Sequence, residues 1–75
     1  MKKMLFEVNG LTGDESAQVL TQALNDLSGV ELADVFLRAQ KAYAFAGDKL
    51  SQESVVEAAQ KCGYGASLIR EVYVS

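Results

Sequence analysis

The residue types that most often carry chemistry are scarce in this sequence. It has one cysteine, Cys62, and no histidine. One cysteine cannot form an internal disulfide. Without histidine, the chain can form neither a Cys–His catalytic pair nor a Cys/His structural zinc cluster. We therefore expect a protein that is not an enzyme.

A second group of candidate residues is the acidic pair Asp14-Glu15, which follows a glycine-containing loop. The two carboxylates could in principle bind a hard divalent cation. However, no third acidic residue is near in sequence, whereas Ca²⁺ takes six to eight oxygen ligands. Thr12 stands three residues before Glu15, which is the capping-box spacing, and acidic side chains suit the first turn of a helix. We interpret the segment as a helix start. The alternative, an anion bound at the helix N-terminus, is disfavoured because both carboxylates would repel it.

Sulfur-containing side chains offer a third possibility, because thioethers and thiolates bind soft ions. Met4 alternates with other apolar residues in a strand pattern, and Met1 is the first residue. Packing is the better interpretation of both. Cys62 completes a helical apolar stripe that begins at Val55, so it is predicted to be a small buried core residue.

Net charge and hydropathy exclude several classes of partner. Seven basic and ten acidic residues leave a net charge of −3. Nucleic-acid binders usually have a basic surplus, so none is expected here. Apolar runs are too short for a membrane span or a secretory signal, so we expect a cytoplasmic protein without membrane insertion. The basic residues are predicted to form a solvated surface: Lys2, Lys3, Arg38, Lys41, Lys49, Lys61 and Arg70.

The 75 residues suffice for one domain, 1–75, and the hydropathy pattern divides it into six elements. Ser51 is a suitable N-cap for the second helix, and Gly63 is placed to end it. The order predicts an α+β ferredoxin-like sandwich, with two helices on one face of a four-stranded antiparallel sheet. The predicted strands cover 3–8, 30–37, 42–46 and 67–74, and the predicted helices run from about 14 to 27 and from 52 to 62.

Three short blocks in register point to a known family. Residues 10–12 read Gly-Leu-Thr, residues 23–30 read Ala-Leu-Asn-Asp-Leu-Ser-Gly-Val, and residues 58–64 read Ala-Ala-Gln-Lys-Cys-Gly-Tyr. On these blocks the sequence resembles the heavy-metal-associated family, which includes copper chaperones and N-terminal domains of metal-pumping P-type ATPases. The resemblance covers about residues 3–69.

The metal-ligand positions of that family mark the departure. Its Cys-x-x-Cys motif falls on Gly13 and Ser16. Glycine has no side-chain ligand, and a neutral hydroxyl is a poor donor to Cu(I) or Zn(II), which favour thiolates. We therefore expect neither a metal ion at this site nor any cofactor.

The resemblance then implies a protein-interaction or regulatory module that has lost its ion and kept its docking shape. The expected partner is a similar ferredoxin-like domain or a metal-transport ATPase, and the chain is expected to be a monomer or weak homodimer. The residues expected to contact the partner form an interaction loop: Leu11, Thr12, Gly13, Asp14 and Tyr64.

Two other functions stay open at this point. The first is a copper or zinc carrier with an altered site, in which Cys62 thiolates from two copies share one ion. The second is an acylphosphatase-type enzyme on the same fold, which needs an arginine in its phosphate loop. Residues 9–16 contain no arginine and two acids, so this function ranks last.

Overall fold

Six elements follow the predicted order in the computed structural model, which describes residues 1–74. The four strands form one antiparallel sheet with the order β2-β3-β1-β4, so the predicted ferredoxin-like fold is confirmed. The elements are β1 (Lys2–Asn9), α1 (Asp14–Asn25), β2 (Val30–Phe36), β3 (Lys41–Ala46), α2 (Gln52–Lys61) and β4 (Gly65–Tyr73).

Alternation in the central strands builds the core between the sheet and the helices. In β1, Met4, Phe6 and Val8 are at most 1% exposed. Alternate residues of β3, all alanines, are buried on the same face, so Tyr43 and Phe45 lie together on the other face, as predicted. The helices contribute their apolar stripes to this core: Leu20, Leu24, Val55 and Ala59. Each fully buried large side chain of this kind stabilises the fold by roughly 1.5–3 kcal/mol.

The first helix ends at Asn25, two residues before the predicted boundary. The Asn25 side chain reaches the edge strand β2. Its Nδ2 donates to the Ala33 carbonyl (2.9 Å), and its Oδ1 accepts from the Ala33 N–H (3.0 Å). The chain then tightens, because the Leu27 N–H bonds the Leu24 carbonyl three residues back. Boundaries one or two residues from their predicted places are common where helix ends become turns.

Lys2 corrects the prediction that all basic residues lie on a solvated surface. It is 5% exposed, and its Nζ lies 3.0 Å from Oε1 of Glu71. Because β1 begins at Lys2, strand alternation puts this side chain on the same face as Met4. The Lys2 ammonium is therefore buried at the edge of the core and forms an ion pair with the Glu71 carboxylate. Within residues 1–74, neither helix is long and apolar enough to cross a membrane.

Candidate functional site

The loop between β1 and α1 packs against the loop between α2 and β4. Gly10 has a φ of 103°, and a Cβ there would lie 3.2 Å from Cδ1 of Tyr64, so close approach and backbone conformation both require glycine. The next residue, Leu11, is 8% exposed and belongs to the core. These two contacts hold the interaction loop at one end of the sheet.

The Ser16 hydroxyl organises the start of α1. Its Oγ accepts from the N–H groups of Thr12 (3.0 Å) and Gly13 (3.1 Å) and donates to the Gly13 carbonyl (2.7 Å). Gly13 is the N-cap and Ser16 is the third helical residue. The predicted pairing of Thr12 with Glu15 was therefore wrong by one residue. Gly13 has no side chain to cap the helix, so the serine satisfies these loop N–H groups instead.

The two family ligand positions do not fit a soft metal ion. Gly13 offers no donor atom, and the Ser16 hydroxyl already makes three hydrogen bonds to the loop backbone. Among residues 1–74, no three His, Cys, Asp or Glu side chains come together as a metal-binding group.

The position of Cys62 corrects the prediction of a buried core thiol. The residue is the C-cap of α2 and is half-buried. The N–H groups of Gly63 and Tyr64 bond the carbonyls of Gln60 and Ala59, which is the Schellman pattern. This turn ends the helix at Lys61, so Cys62 lies beyond the last buried residue of the stripe, Ala59. Cys62 is among the residues that line a groove of about 370 Å³ between the two helices.

The predicted interaction loop divides into buried and accessible parts. Leu11 lies in the core, so it supports the loop without offering its side chain to a partner. Thr12 and Asp14 are exposed, whereas Gly13 and Tyr64 are half-buried. A partner that docks at this end would therefore contact mainly Thr12 and Asp14, with Tyr64 beside them.

Sequence reasoning missed two features of the surface. Asn25 bonds the backbone of β2, although an asparagine near a helix end gave no specific signal for such a contact. The uncovered face of the sheet was assigned no function, although the alternation of residues 42–46 had put Tyr43 and Phe45 on one side of their strand. Both features depend on which strands become neighbours.

Comparison with solved structures identifies the fold. The structure superposes on a copper-binding domain of a P-type ATPase with a TM-score of 0.91 and 24% identity, covering 97% of this chain and 100% of that one. The N-terminal domain of a potential copper-translocating P-type ATPase from Bacillus subtilis, solved in its Cu(I)-loaded state, gives 0.87 and 27%, covering 97% and 92%. The CopZ metallochaperone gives 0.82 and 24%, covering 87% and 98%.

A scan of protein-family models and a search of characterised proteins found no match. The structural likeness confirms the fold that the sequence resemblance implied: this chain has a heavy-metal-associated-like fold. It has a single cysteine and hence no Cys-x-x-Cys pair.

Proposed function

We propose that this domain is a non-enzymatic interaction or regulatory module that docks like-folded protein partners and binds no metal ion at the loop between β1 and α1. A second ferredoxin-like domain, or a metal-transport ATPase that carries one, is the partner class that this shape suits. The cytoplasm is the compartment that we expect.

One observation carries the proposal: the side chain at one of the two family ligand positions, Ser16, is hydrogen bonded to the backbone of its own loop. At this position Ser16 has a hydroxyl in place of a thiolate, and the hydroxyl forms hydrogen bonds with the backbone of Thr12 and Gly13. The scaffold around it, including Leu11 and the Gly10–Tyr64 contact, keeps the loop at the end of the sheet. Such a preformed loop can dock a partner with little ordering cost.

The metal part of the proposal is tested by titrating reduced protein with Cu(I) and with Zn(II) in the presence of a weak thiol competitor. Native mass spectrometry then counts ions per chain. We expect no bound ion. One ion per chain would refute the statement that the loop has lost its metal site.

The docking part is tested by NMR titration with a copper-binding P-type ATPase domain of the same fold. Shifts are expected at Thr12, Asp14 and Tyr64. Asp14→Lys should weaken this binding, while Gln22→Lys, on an exposed part of the same helix, should leave it unchanged. Docking through this loop would be contradicted if no shifts appear at a millimolar concentration of the partner domain. It would also be contradicted if the two variants change the affinity equally.

A metal carrier built on Cys62 is the second candidate, and the position of this half-buried residue in the lining of the groove between the helices favours it. It predicts one Cu(I) per two chains and dimerisation that depends on the ion. Cys62→Ser should abolish both. If the dimer persists in that variant, or if no ion binds to the unmodified protein, this candidate is wrong.

A further inference from the structure

The sheet face opposite the helices exposes a contiguous apolar and aromatic surface. Leu32, Phe36 and Val72 are 52%, 47% and 46% exposed. The Tyr43 ring lies 5.6 Å from that of Phe36 and 5.5 Å from that of Phe45. Among residues 1–74, no element covers this surface, which we call the open face. Exposed patches of this kind usually mark an interaction site.

The strand register arranges the outward side chains of the open face in three rows that cross the sheet. Residues directly opposite each other in neighbouring antiparallel strands project to the same side. The central row therefore reads Asp34, Tyr43, Leu5, Arg70, from β2 through β3 and β1 to β4. An acid stands at one end of this row and a base at the other.

We propose that the open face binds the open face of a second copy, sheet against sheet, around a two-fold axis parallel to the strands and midway between β3 and β1. This axis lays β2 of one copy over β4 of the other, and β3 over β1. The interface is isologous and closes as a dimer. It uses a surface separate from the interaction loop, so it does not rest on the docking function proposed above.

Under this axis the central row becomes complementary to itself. Asp34 faces Arg70 of the second copy, and Tyr43 faces Leu5. Because the axis repeats each contact, the interface contains two Asp34–Arg70 pairs at its rim and two aromatic–aliphatic contacts near its centre. Pairs of this kind fix register and orientation more than they add affinity.

The row nearer the interaction loop reads Phe36, Lys41, Glu7, Ser67. The same axis places Lys41 over Glu7 of the second copy. Within one chain these two residues are also directly opposite each other. Lys41 and Glu7 of both copies would therefore form a group of four charges of alternating sign, and the net charge of this group is zero.

The third row reads Leu32, Phe45, Lys3, Val72. Here Leu32 faces Val72, and Phe45 faces Lys3 of the second copy. Within one chain the Lys3 ammonium already lies 5.3 Å from the Tyr43 ring centroid and 5.5 Å from that of Phe45. Cation–π contact across the interface would extend this arrangement.

The other in-plane axis, perpendicular to the strands, gives poor complementarity. It would place Asp34 against Asp34 and Arg70 against Arg70 of the second copy. Like charges opposed in this way cost free energy, so the charge pattern selects the axis parallel to the strands.

The interface is small, because three rows on four strands cover a plane of only about 19 by 20 Å. An interface of this size is small, so we expect a dimer that dissociates on dilution.

Sedimentation equilibrium of the full chain, from about 10 µM to 1 mM, tests the proposal. We expect a monomer–dimer equilibrium that Arg70→Asp weakens about tenfold or more, because the new carboxylate faces Asp34. Asp34→Arg should weaken it similarly. Lys49→Asp, a matched charge reversal at an exposed loop position, should leave it unchanged.

Mixing the two single variants gives the decisive measurement. An equimolar mixture of Asp34→Arg and Arg70→Asp chains should form a heterodimer, because each altered position then faces an opposite charge. Lys41→Glu mixed with Glu7→Lys offers the same test without disturbing the hydrogen bond from the Val35 N–H to Asp34. A chain that stays monomeric throughout, or mixtures that do not associate, would overturn the proposal. Neither result would bear on loop docking, which is read out by Asp14→Lys.

Discussion

At the scale of single residues, Ser16 has a structural role in place of a chemical one. The hydroxyl occupies a position that, by the sequence resemblance, would otherwise hold a thiolate ligand. It forms hydrogen bonds with the backbone of Thr12 and Gly13 at the start of α1. These three hydrogen bonds hold the loop backbone against the first turn of α1.

Replacing Ser16 by alanine should therefore destabilise the fold by about 1 kcal/mol, because the N–H groups of Thr12 and Gly13 lose their acceptor. Urea denaturation followed by circular dichroism measures the free energy of unfolding. Ser28→Ala is the matched control, since Ser28 is exposed and its side chain makes no hydrogen bond within residues 1–74. Equal stability of the two variants would show that the hydroxyl contributes nothing.

The buried ammonium of Lys2 makes a second prediction at this scale. Glu71→Ala should cost about 1–3 kcal/mol, because it leaves the Lys2 side chain, which is 6% exposed, without its carboxylate partner. Adding Lys2→Met should recover most of this loss, since the charge is then gone. Unfolding free energies of both variants are compared with Glu57→Ala, which removes an exposed acid of α2. A double variant no more stable than Glu71→Ala would contradict the explanation.

At the scale of elements, the contact between α1 and β2 protects one edge of the sheet. β2 is an edge strand, and unpaired edge groups invite pairing with other chains. The Asn25 carboxamide bonds both backbone groups of Ala33 and so replaces a neighbouring strand at that residue. The same contact ties the helix end to the sheet.

Asn25→Ala should lower the free energy of unfolding by about 1–2 kcal/mol, because both Ala33 groups lose their partner. Amide hydrogen exchange should accelerate at Ala33 and stay unchanged in the central strand β1. Gln22→Ala is the control, because its carboxamide bonds only the exposed side chain of Asp26. Unchanged exchange at Ala33 would show that the amide is protected by other means.

At the scale of the whole molecule, the fold has the shape of copper-binding domains of P-type ATPases, while glycine and serine stand where the sequence resemblance places the ligands. Gly13 has extended backbone that any residue can adopt, and nothing lies within 4 Å of a Cβ added there. The half-buried Ser16 stands three residues later on the first turn of α1. The scaffold thus has room for the absent pair of thiols.

The double variant Gly13→Cys with Ser16→Cys should consequently bind one Cu(I) per chain under conditions in which the unmodified protein binds none. Two thiolates at this spacing supply the soft donors that the loop lacks. Native mass spectrometry with a weak thiol competitor counts the ions. Gly47→Cys, at another exposed position with open space, controls for the addition of a single thiol. Failure of the double variant to bind would mean that the loop geometry has diverged along with the ligands.

The sequence by itself determined the element order, which residues of β1 and of β3 share a face, and the absence of a paired-cysteine site. These follow from local periodicity, from turn residues such as Gly63, and from the identity of residues 13 and 16. It also determined the fold, because three spaced blocks matched a known pattern and the superposition agrees with them.

Only the tertiary structure decided the surroundings of individual polar side chains. Whether Lys2 is solvated depends on Glu71, 69 positions away, and whether Asn25 bonds a strand depends on which strand lies beside the helix. The half-burial of Cys62 and the three rows of the open face depend in the same way on packing between distant segments. Local patterns report which face a residue occupies, whereas its partners are set by long-range register, which a single sequence does not encode locally.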